Sequence, residues 1–519
     1  MSLIQALLNP AAYPHPVAKI ELIETHISWV LLTGQYAYKI KKNIQFDFLD
    51  FSTLEKRHFY CKEELRLNRR LAPDLYLQVV PITGTPEQPQ INGSGEVMEY
   101  AVQMKQFAGN LLLSDLADQG SLDAAIIDQL ADLTADFHLH AKADISSSRY
   151  GTAEEIQHWF LGNFAHIRPL LKDEKVLQQL LRLEQWGGQE LLKNTPLIVQ
   201  RKQQGFIREC HGDLHLGNIA LIDNQVTPFD GIEFNQGLHW IDVISEIAFV
   251  VMDLQQRGLA QFAYRFLNRY LSQSGDYQGL TLLPYYLVYR AMVRAKVALL
   301  RWQQHKNAQD LREAENYMNL AENFSMPKPP SLVITHGYSG SGKSTFSMKL
   351  AEALGMVHLR SDVERQRLLT APEQSANKEI NQGLYSADKT RQVYQKLADL
   401  SAMMMTAGFS VLIDAAFLLG KQRGLFHQLA LDKQVNFLIL DFYAPEAELK
   451  RRIIQRQKLG NDPSEATLAV LEYQLKTAEP LTDSEMKKVI QVDTSADNAW
   501  EKLMTASPFK DWQAVSHQN

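Results

Sequence analysis

The sequence predicts a mixed α/β and α+β protein in two parts, a bilobal N-terminal unit followed by a doubly wound parallel sheet. Three observations predict this. The chain has 519 residues, well beyond the roughly 250–300 at which a single core stops growing. The segment MPKPP (326–330) places three prolines in five residues, which ends a helix and favours an extended connector. The patterning also changes there, from a group of strands followed by long helical stretches to strands and helices in alternation.

In the first part, residues 20–43 read as two or three strands turning at Gly34. A charged helix then runs from about Ser52 to Leu71 and stops before Pro73. Strands at about 76–81 and 97–107 complete a small β-rich lobe. Residues 111–200 and 240–324 read as mostly helical, with a short β segment at 217–235 between them. In the second part the apolar runs LVITH (332–336), MVHLR (356–360), FSVLID (409–414), VNFLILDF (435–442) and VIQVD (489–493) alternate with helical stretches. The expected organisation is therefore 1–325, a linker at 326–330, and 331–519.

A composition of 45% hydrophobic and 22% charged residues suits filled cores and excludes wholesale disorder. No apolar run approaches the roughly 18–20 residues of a membrane helix, so no membrane partner is expected. The first basic residue is Lys19, so the apolar start lacks the charged leader of a secretory signal. Cys61 and Cys210 are too few for a disulfide framework, and a cytoplasmic setting is expected. The net charge of −6 falls entirely in residues 1–330, with 31 Lys+Arg against 37 Asp+Glu, whereas 331–519 balance at 22 and 22. Neither part is a basic body. Long nucleic acid is disfavoured as a partner, and a small phosphorylated ligand is not.

GYSGSGKS (337–344) fits G-x-x-x-x-G-K-[ST], follows the strand LVITH and opens the helix STFSMKLAEAL, which is the context that motif requires. Gly337, Ser339, Gly340, Ser341, Gly342, Lys343, Ser344 and Thr345 are expected to cradle ATP, because glycines let successive backbone N–H groups close around phosphates. Lys343 would reach the β/γ oxygens and Ser344 would ligate Mg²⁺. Asp414, at the end of SVLID, can hold the magnesium shell. Asp362 ends the preceding strand beside the γ-phosphate and would orient or deprotonate a substrate hydroxyl. The same residue fits a helix N-cap, and the two roles are compatible. Arg452 and Arg456, four apart on LKRRIIQRQ before a break at 460–463, suit a lid over the transferring phosphate, or else a solvated basic face. Together these features resemble the small P-loop kinases of the gluconate kinase, zeta-toxin and polynucleotide kinase type over nearly all of 331–519, and DPSEA (462–466) adds to the resemblance.

A second, independent signature is HGDLHLGNI (211–219). Asp213 and Asn218 stand five apart, and Asp230 follows twelve residues after Asn218 in PFDG. This is the arrangement of a protein-kinase-like site, in which Asp213 would accept or orient the substrate hydroxyl proton while Asn218 and Asp230 hold Mg²⁺. HGDxxxxN, where protein kinases read HRD, resembles the aminoglycoside/choline phosphotransferase family. Those enzymes also lack the G-x-G-x-x-G loop, where this chain reads Thr25-His-Ile-Ser28.

That resemblance implies a lysine on the third strand that meets the nucleotide phosphates. Lys39 is the first candidate, and Lys41, on the same strand face, is the second. Its acidic partner is expected at Glu64, on the apolar helix stripe with Leu67 and Leu71, whereas Glu63 points elsewhere. The adenine hinge is expected at Glu99-Tyr-Ala101 in EVMEYAVQM. Arg290, Arg294 and Arg301, nearly on one face of a helix at 284–302, would read an anionic substrate or be solvated arginines of an amphipathic helix. His138 and His140 read as packing or surface residues, and Cys210 as a small buried one.

In this order and with this linker, the whole chain resembles a bacterial two-domain family that joins an aminoglycoside phosphotransferase-like domain to a P-loop kinase-like, AAA-type ATP-binding domain. The resemblance implies fold and reaction class and leaves the substrate open. The first expectation is an enzyme with two ATP–Mg²⁺ sites that phosphorylates a small hydroxylated molecule. The alternatives are an N-terminal kinase regulated by a C-terminal ATPase, and a kinase of nucleic-acid ends or nucleotide sugars.

Overall fold

The computed structural model describes residues 2–46, 49–368, 387–459 and 467–510. Grouped by packing they form two compact units, Met1–Arg257 with Tyr289–Met318, and Gly258–Val288 with Asn319–Asn519. The proline-rich segment 326–330 thus falls inside the second packing unit, and we retain it as a proposal for where the two sequence domains meet.

The first unit begins with an antiparallel sheet. Strands β1 (Glu21–Glu24), β2 (Ser28–Leu32) and β3 (Tyr36–Lys41) form a meander whose second turn uses Gly34 at φ +93°. Helix α1 (Leu54–Asn68) follows, started by the Thr53 hydroxyl accepting from the Lys56 N–H. Strands β4 (Tyr76–Thr85), β5 (Gln88–Ile91) and β6 (Val97–Lys105) complete a six-stranded order β1-β2-β3-β6-β4-β5. Strand alternation divides the core. Leu31, Tyr38, Ile40 and Ala101 pack in one cluster, and Ala37, Cys61, Val102 and Met104 in another, on the face that carries Lys39 and Lys41. The helical part that follows includes α2 (Val243–Gln256), buried at every position from Val243 to Leu254, and a hairpin of Ile219–Ile222 with Gln225–Pro228.

The second unit contains helix α3 (Ala260–Ser274) and a five-stranded sheet. The sheet elements are β7 (Ser331–His336), β8 (Val357–Arg360), β9 (Val411–Asp414), β10 (Asn436–Tyr443) and β11 (Val489–Asp493). Every pairing is parallel, in the order β8-β9-β7-β10-β11. A parallel sheet is covered on both faces, which is why these strands read as continuous apolar runs. Strand β8 lies at the sheet edge, and the Asn268 amide on α3 occupies that edge, donating to Met356 O at 3.0 Å and accepting from His358 N at 2.9 Å. The helices that bear on the site are α4 (Lys343–Leu354), α5 (Ser361–Arg367), α6 (Ala387–Thr406), α7 (Gly420–Asp432) and α8 (Glu446–Leu459). The break at 460–463 and DPSEA at 462–466 lie outside the described residues.

Candidate functional site

In the first unit, Glu64 is fully buried on α1 and meets both candidate lysines. Lys39 Nζ stands 2.9 Å from Glu64 Oε1, and Lys41 Nζ stands 2.7 Å from Oε2. Their second partners differ. Lys39 also donates to Asp230, whereas Lys41 donates to Glu233 and is enclosed on all sides. Burial works against the charge of Lys39, and Asp230 and Glu64 outweigh it, holding the ammonium well above its ordinary pKa. Burial and the neighbouring Glu64 carboxylate push Glu233 up. Asp230 adopts a left-handed backbone at φ +61°. Its N–H donates to Tyr76 Oη at 3.0 Å, and the next N–H, of Gly231, donates to Asn68 Oδ1 at 2.7 Å. The turn that aims Asp230 is therefore pinned to α1 and β4.

The loop at 211–218 is organised around Asp213. Asn218 Nδ2 donates to Asp213 Oδ2 at 2.9 Å and to its carbonyl at 3.0 Å, and His215 Nε2 stands 3.5 Å from the same carboxylate. Burial acts to raise the Asp213 pKa, but His215 and Arg294 outweigh it and hold the carboxyl well below the usual range. Such a group stays ionised and can accept a hydrogen bond. His211 donates from Nε2 to Phe229 O at 2.9 Å and accepts the Asp213 N–H on Nδ1 at 3.3 Å, which suits a ring whose pKa burial lowers.

Three residues support this loop, two of them absent from the sequence expectations and the third, Arg290, expected to read a substrate or to be solvated. Glu246 on α2 accepts the N–H groups of His211 at 2.6 Å and Gly212 at 2.9 Å. Asp253, two turns further along, accepts the Leu216 N–H at 2.9 Å. Arg290, on the helix Leu283–His305, donates to Gly212 O at 3.1 Å and Ser245 O at 3.0 Å. Buried acids seven apart on an otherwise apolar helix were the available signal, since such acids need partners. Arg290 is thus engaged in holding the loop, and Arg301 pairs with Asp310 at 3.2 Å and with Glu313. Among the described residues, His138, Cys210 and Glu246 bring potential metal-ligating atoms within 4.8 Å of one another. Both Glu246 oxygens already accept loop N–H groups, and burial raises the Cys210 thiol well above its ordinary pKa, so the group reads as support for the loop.

The side chains of the two residues expected at the adenine hinge are engaged within the sheet. Ala101 lies on the sheet face opposite Lys39, packed with Leu31, Tyr38 and Ile40. Glu99 lies near the start of β6 and forms a buried ion pair with Arg57 at 2.8 Å. The strand runs on to Lys105, so its exit follows that residue, where Met104 and Phe107 join the cluster on the Lys39 face with Phe229.

In the second unit, β7 delivers the chain into the loop and α4 carries it away. Gly337 (φ +141°) and Gly340 (φ +83°) have left-handed backbones that disfavour side chains, and an added Cβ would approach Phe442 O to 2.3 Å and Leu449 O to 2.7 Å, respectively. Lys343 Nζ donates to Gly337 O at 2.9 Å and Tyr338 O at 2.8 Å. Burial lowers its pKa to about 8, Asp414 and Asp362 acting in the opposite direction. Asp414 is buried at the end of β9, 3.7 Å from Arg360 Nε and 3.8 Å from His358 Nε2. Helix α5 begins at Ser361, so Asp362 sits in the first turn rather than at the N-cap, a place where the helix dipole favours a carboxylate.

A cavity of about 1170 Å³ brings these residues together: Ser339, Gly340, Gly342, Lys343, Ser344, Thr345, Asp362, Asp414, Arg452 and Arg456 all line it. Ser341 is fully buried beneath the loop. The two arginines differ. Arg452 braces the loop, reaching Thr494 Oγ1 and O at 2.9 Å each, Gly340 O at 3.4 Å and Glu448 at 2.6 Å. Arg456 lines the cavity within electrostatic reach of Lys343. The oxygen donors Asn218 and Asp230 in the first unit, and Ser344 and Asp414 in the second, are the hard ligands that Mg²⁺ takes.

Comparison with known proteins gives two family matches, the first of which runs past Arg257 into the part of the chain that packs with the second unit. Residues 57–283 match the profile of the phosphotransferase enzyme family, and residues 332–481 match an AAA domain profile. Uncharacterized proteins of Mycobacterium tuberculosis H37Rv and Mycobacterium bovis are each 28% identical over 459 residues, covering 88% of this chain and 90% of theirs. Among solved structures, a choline/ethanolamine kinase family protein of Mesorhizobium loti is similar over 62% of this chain and 92% of its own, at 11% identity and TM-score 0.38. A sugar kinase of Janibacter sp. HTCC2649 is similar over 36% and 98%, at 21% identity and TM-score 0.28. The chain thus carries two separate family matches, to the phosphotransferase enzyme family over the span that holds Asp213, Asn218 and Asp230, and to an AAA domain over the span that holds the phosphate loop.

Proposed function

We propose that the chain is an ATP-dependent phosphotransferase with two nucleotide sites, each moving a γ-phosphate to a hydroxyl of a small molecule such as a sugar or sugar phosphate. The observation that supports this reading is the cavity of the second unit, where Asp362, which we read as the substrate-side acid, lines the same space as Lys343, Ser344 and Asp414. A nucleotide-gated regulator would have no need of that acid. At about 1170 Å³ the cavity exceeds the roughly 300–1,000 Å³ of ordinary ligand pockets, room enough for a nucleotide and a small acceptor.

In the first unit Asp213 would receive the acceptor proton while Asn218 holds the carboxylate in place, and Lys39 would turn from Asp230 and Glu64 toward phosphate oxygens. In the second, Asp362 would receive the proton, Lys343 would bind phosphate, and Arg456 would cover developing charge. Magnesium, held by Asn218 and Asp230 or by Ser344 and Asp414, would supply charge neutralisation at the phosphate oxygens. Equilibrium dialysis with a non-hydrolysable ATP analogue tests the two-site reading. The expected stoichiometry is two per chain, falling to one in Lys343→Ala and to one in Lys39→Ala. A stoichiometry of one that Lys343→Ala leaves unchanged contradicts it.

A further inference from the structure

Helix α5, which carries Asp362, has only seven residues, too few to hold a helix in water without outside contacts, and among the described residues no side chain caps its start. Its placement therefore comes from what its outer side meets. Asp362 lines the cavity, whereas Glu364 and Arg367, three apart, share the opposite side of the helix. Arg367 pairs with Glu364 and donates to Ser272 O and, at 3.4 Å, to Leu271 O, carbonyls in the last turn of α3. A cation there also meets the negative end of that helix. Tyr277, buried at the start of the 3₁₀ turn Tyr277–Thr281, accepts from Arg367 on its hydroxyl and donates to the buried Glu364 carboxylate. Between α3 and that turn stands Gly275, in a left-handed backbone at φ +72°, where an added Cβ would lie 2.9 Å from Arg367 Nε. Helix α3 is fixed in turn to the elements around the site, by Asn268 on the edge of β8 and by Arg265 with Glu352 of α4 at 3.0 Å.

Residues 260–281 precede the proline-rich segment and lie within the span that matches the phosphotransferase profile, yet they pack with the phosphate-loop sheet. We propose that Tyr277, Glu364 and Arg367 are positioning residues for Asp362, so that the site of the second unit is completed by a stretch of chain from before the linker. The inference rests on the reading of Asp362 as the substrate-side acid. Arg367 ends the helix whose first turn holds Asp362, so moving its guanidinium off the α3 carbonyls moves that carboxylate. The phosphate loop is held separately, by its close approach to Phe442 and Leu449 and by Arg452. Loss of the clamp therefore removes turnover and leaves nucleotide binding in place. It follows that residues 331–519 do not carry the whole of their own site, which gives the joining of the two parts a physical reason.

The test uses the full chain with Asp213→Ala silencing the first site, and follows labelled γ-phosphate from ATP into water and the metabolites of an extract. In that parent, Gly275→Ala is expected to lower turnover roughly tenfold to a hundredfold, with the affinity for a non-hydrolysable ATP analogue unchanged and amide exchange within α5 accelerated. Gly408→Ala is the control. Gly408 has a similar left-handed backbone at φ +88°, and no described atom lies within 4 Å of an added Cβ, so the substitution brings the same local strain without meeting Arg367. It is expected to leave turnover and α5 exchange unchanged. Tyr277→Phe, which keeps the ring and removes the hydroxyl, is expected to lower turnover less than Gly275→Ala, and Arg367→Lys to retain more of it than Arg367→Met. Full turnover in both Gly275→Ala and Tyr277→Phe, an equal loss in Gly408→Ala, or a loss matched by weaker nucleotide binding overturns the inference. A parent that binds the analogue and transfers no phosphate overturns the reading beneath it.

Discussion

Glu246 accepts the backbone N–H of Gly212 at 2.9 Å, and its other oxygen accepts that of His211 at 2.6 Å. A fully buried carboxylate on α2 therefore sets the backbone of the loop from which Asp213 projects. Burial acts against its charge, but His138, with help from His211 and Arg290, holds its pKa below the ordinary value. Glu246→Ala leaves two buried N–H groups unpaired and is expected to cost about 2–5 kcal/mol. Glu246→Gln keeps an acceptor and is expected to cost less. Denaturant unfolding of the two variants checks the order, and turnover at the first site should fall in the same order.

Lys39 and Lys41 share Glu64 and differ in their second partner, which separates their predicted phenotypes. Lys41→Met takes the ion-pair partner from buried Glu233 and leaves Glu64 with Lys39 alone, and is expected to cost about 3–5 kcal/mol of stability. Lys39→Met removes the cation that reaches Asp230 and is expected to abolish nucleotide binding at the first site if, as proposed, that lysine turns toward phosphate. Melting curves and nucleotide titrations of the pair, with Lys343→Ala silencing the second site, distinguish these outcomes.

Lys343 carries a pH prediction. Its pKa falls from the ordinary 10.5 to about 8 on burial. Between those values the unfolded chain binds a proton that the folded chain does not, so this group's contribution makes stability rise with pH from about 8 toward 10.5. Phosphate oxygens beside the ammonium favour its charged form, so nucleotide binding at pH 8.5–9 is expected to take up a fraction of a proton. Calorimetry in buffers of different ionisation enthalpy measures that uptake, and Lys343→Met should eliminate it.

Asn268 closes the exposed edge of β8, the strand that leads into Asp362. Asn268→Ala frees the Met356 carbonyl and the His358 N–H and is expected to cost about 1–2 kcal/mol. Amide hydrogen exchange at His358 should accelerate, and exchange within the central strand β7 should change less.

Much of this was legible in the sequence. The five parallel strands stood out because a sheet covered on both faces needs unbroken apolar runs. The contact of Asn218 with Asp213 was legible because both residues lie in one short loop. The same physics hid the adenine side. Strand β6 is buried on both faces from Ala101 to Met104, so EVMEYAVQM shows little alternation to reveal which side chains face Lys39. Glu246, Asp253, Arg290 and Asn268 act through contacts distant in sequence; the acids on an apolar helix signalled that partners were needed, but no local pattern names those partners. Arg452 and Arg456 share a helix face as their spacing requires, but Thr494, brought in by the turn after β11, decides that Arg452 serves the loop.

The most direct measurement of the central claim follows labelled phosphate from ATP into a metabolite extract, using the wild-type chain, Asp213→Ala and Lys343→Ala. Two catalytic sites predict that each substitution removes part of the transfer and that the two leave different labelled products. Loss of all transfer on either substitution alone would contradict the presence of two independent phosphotransfer sites.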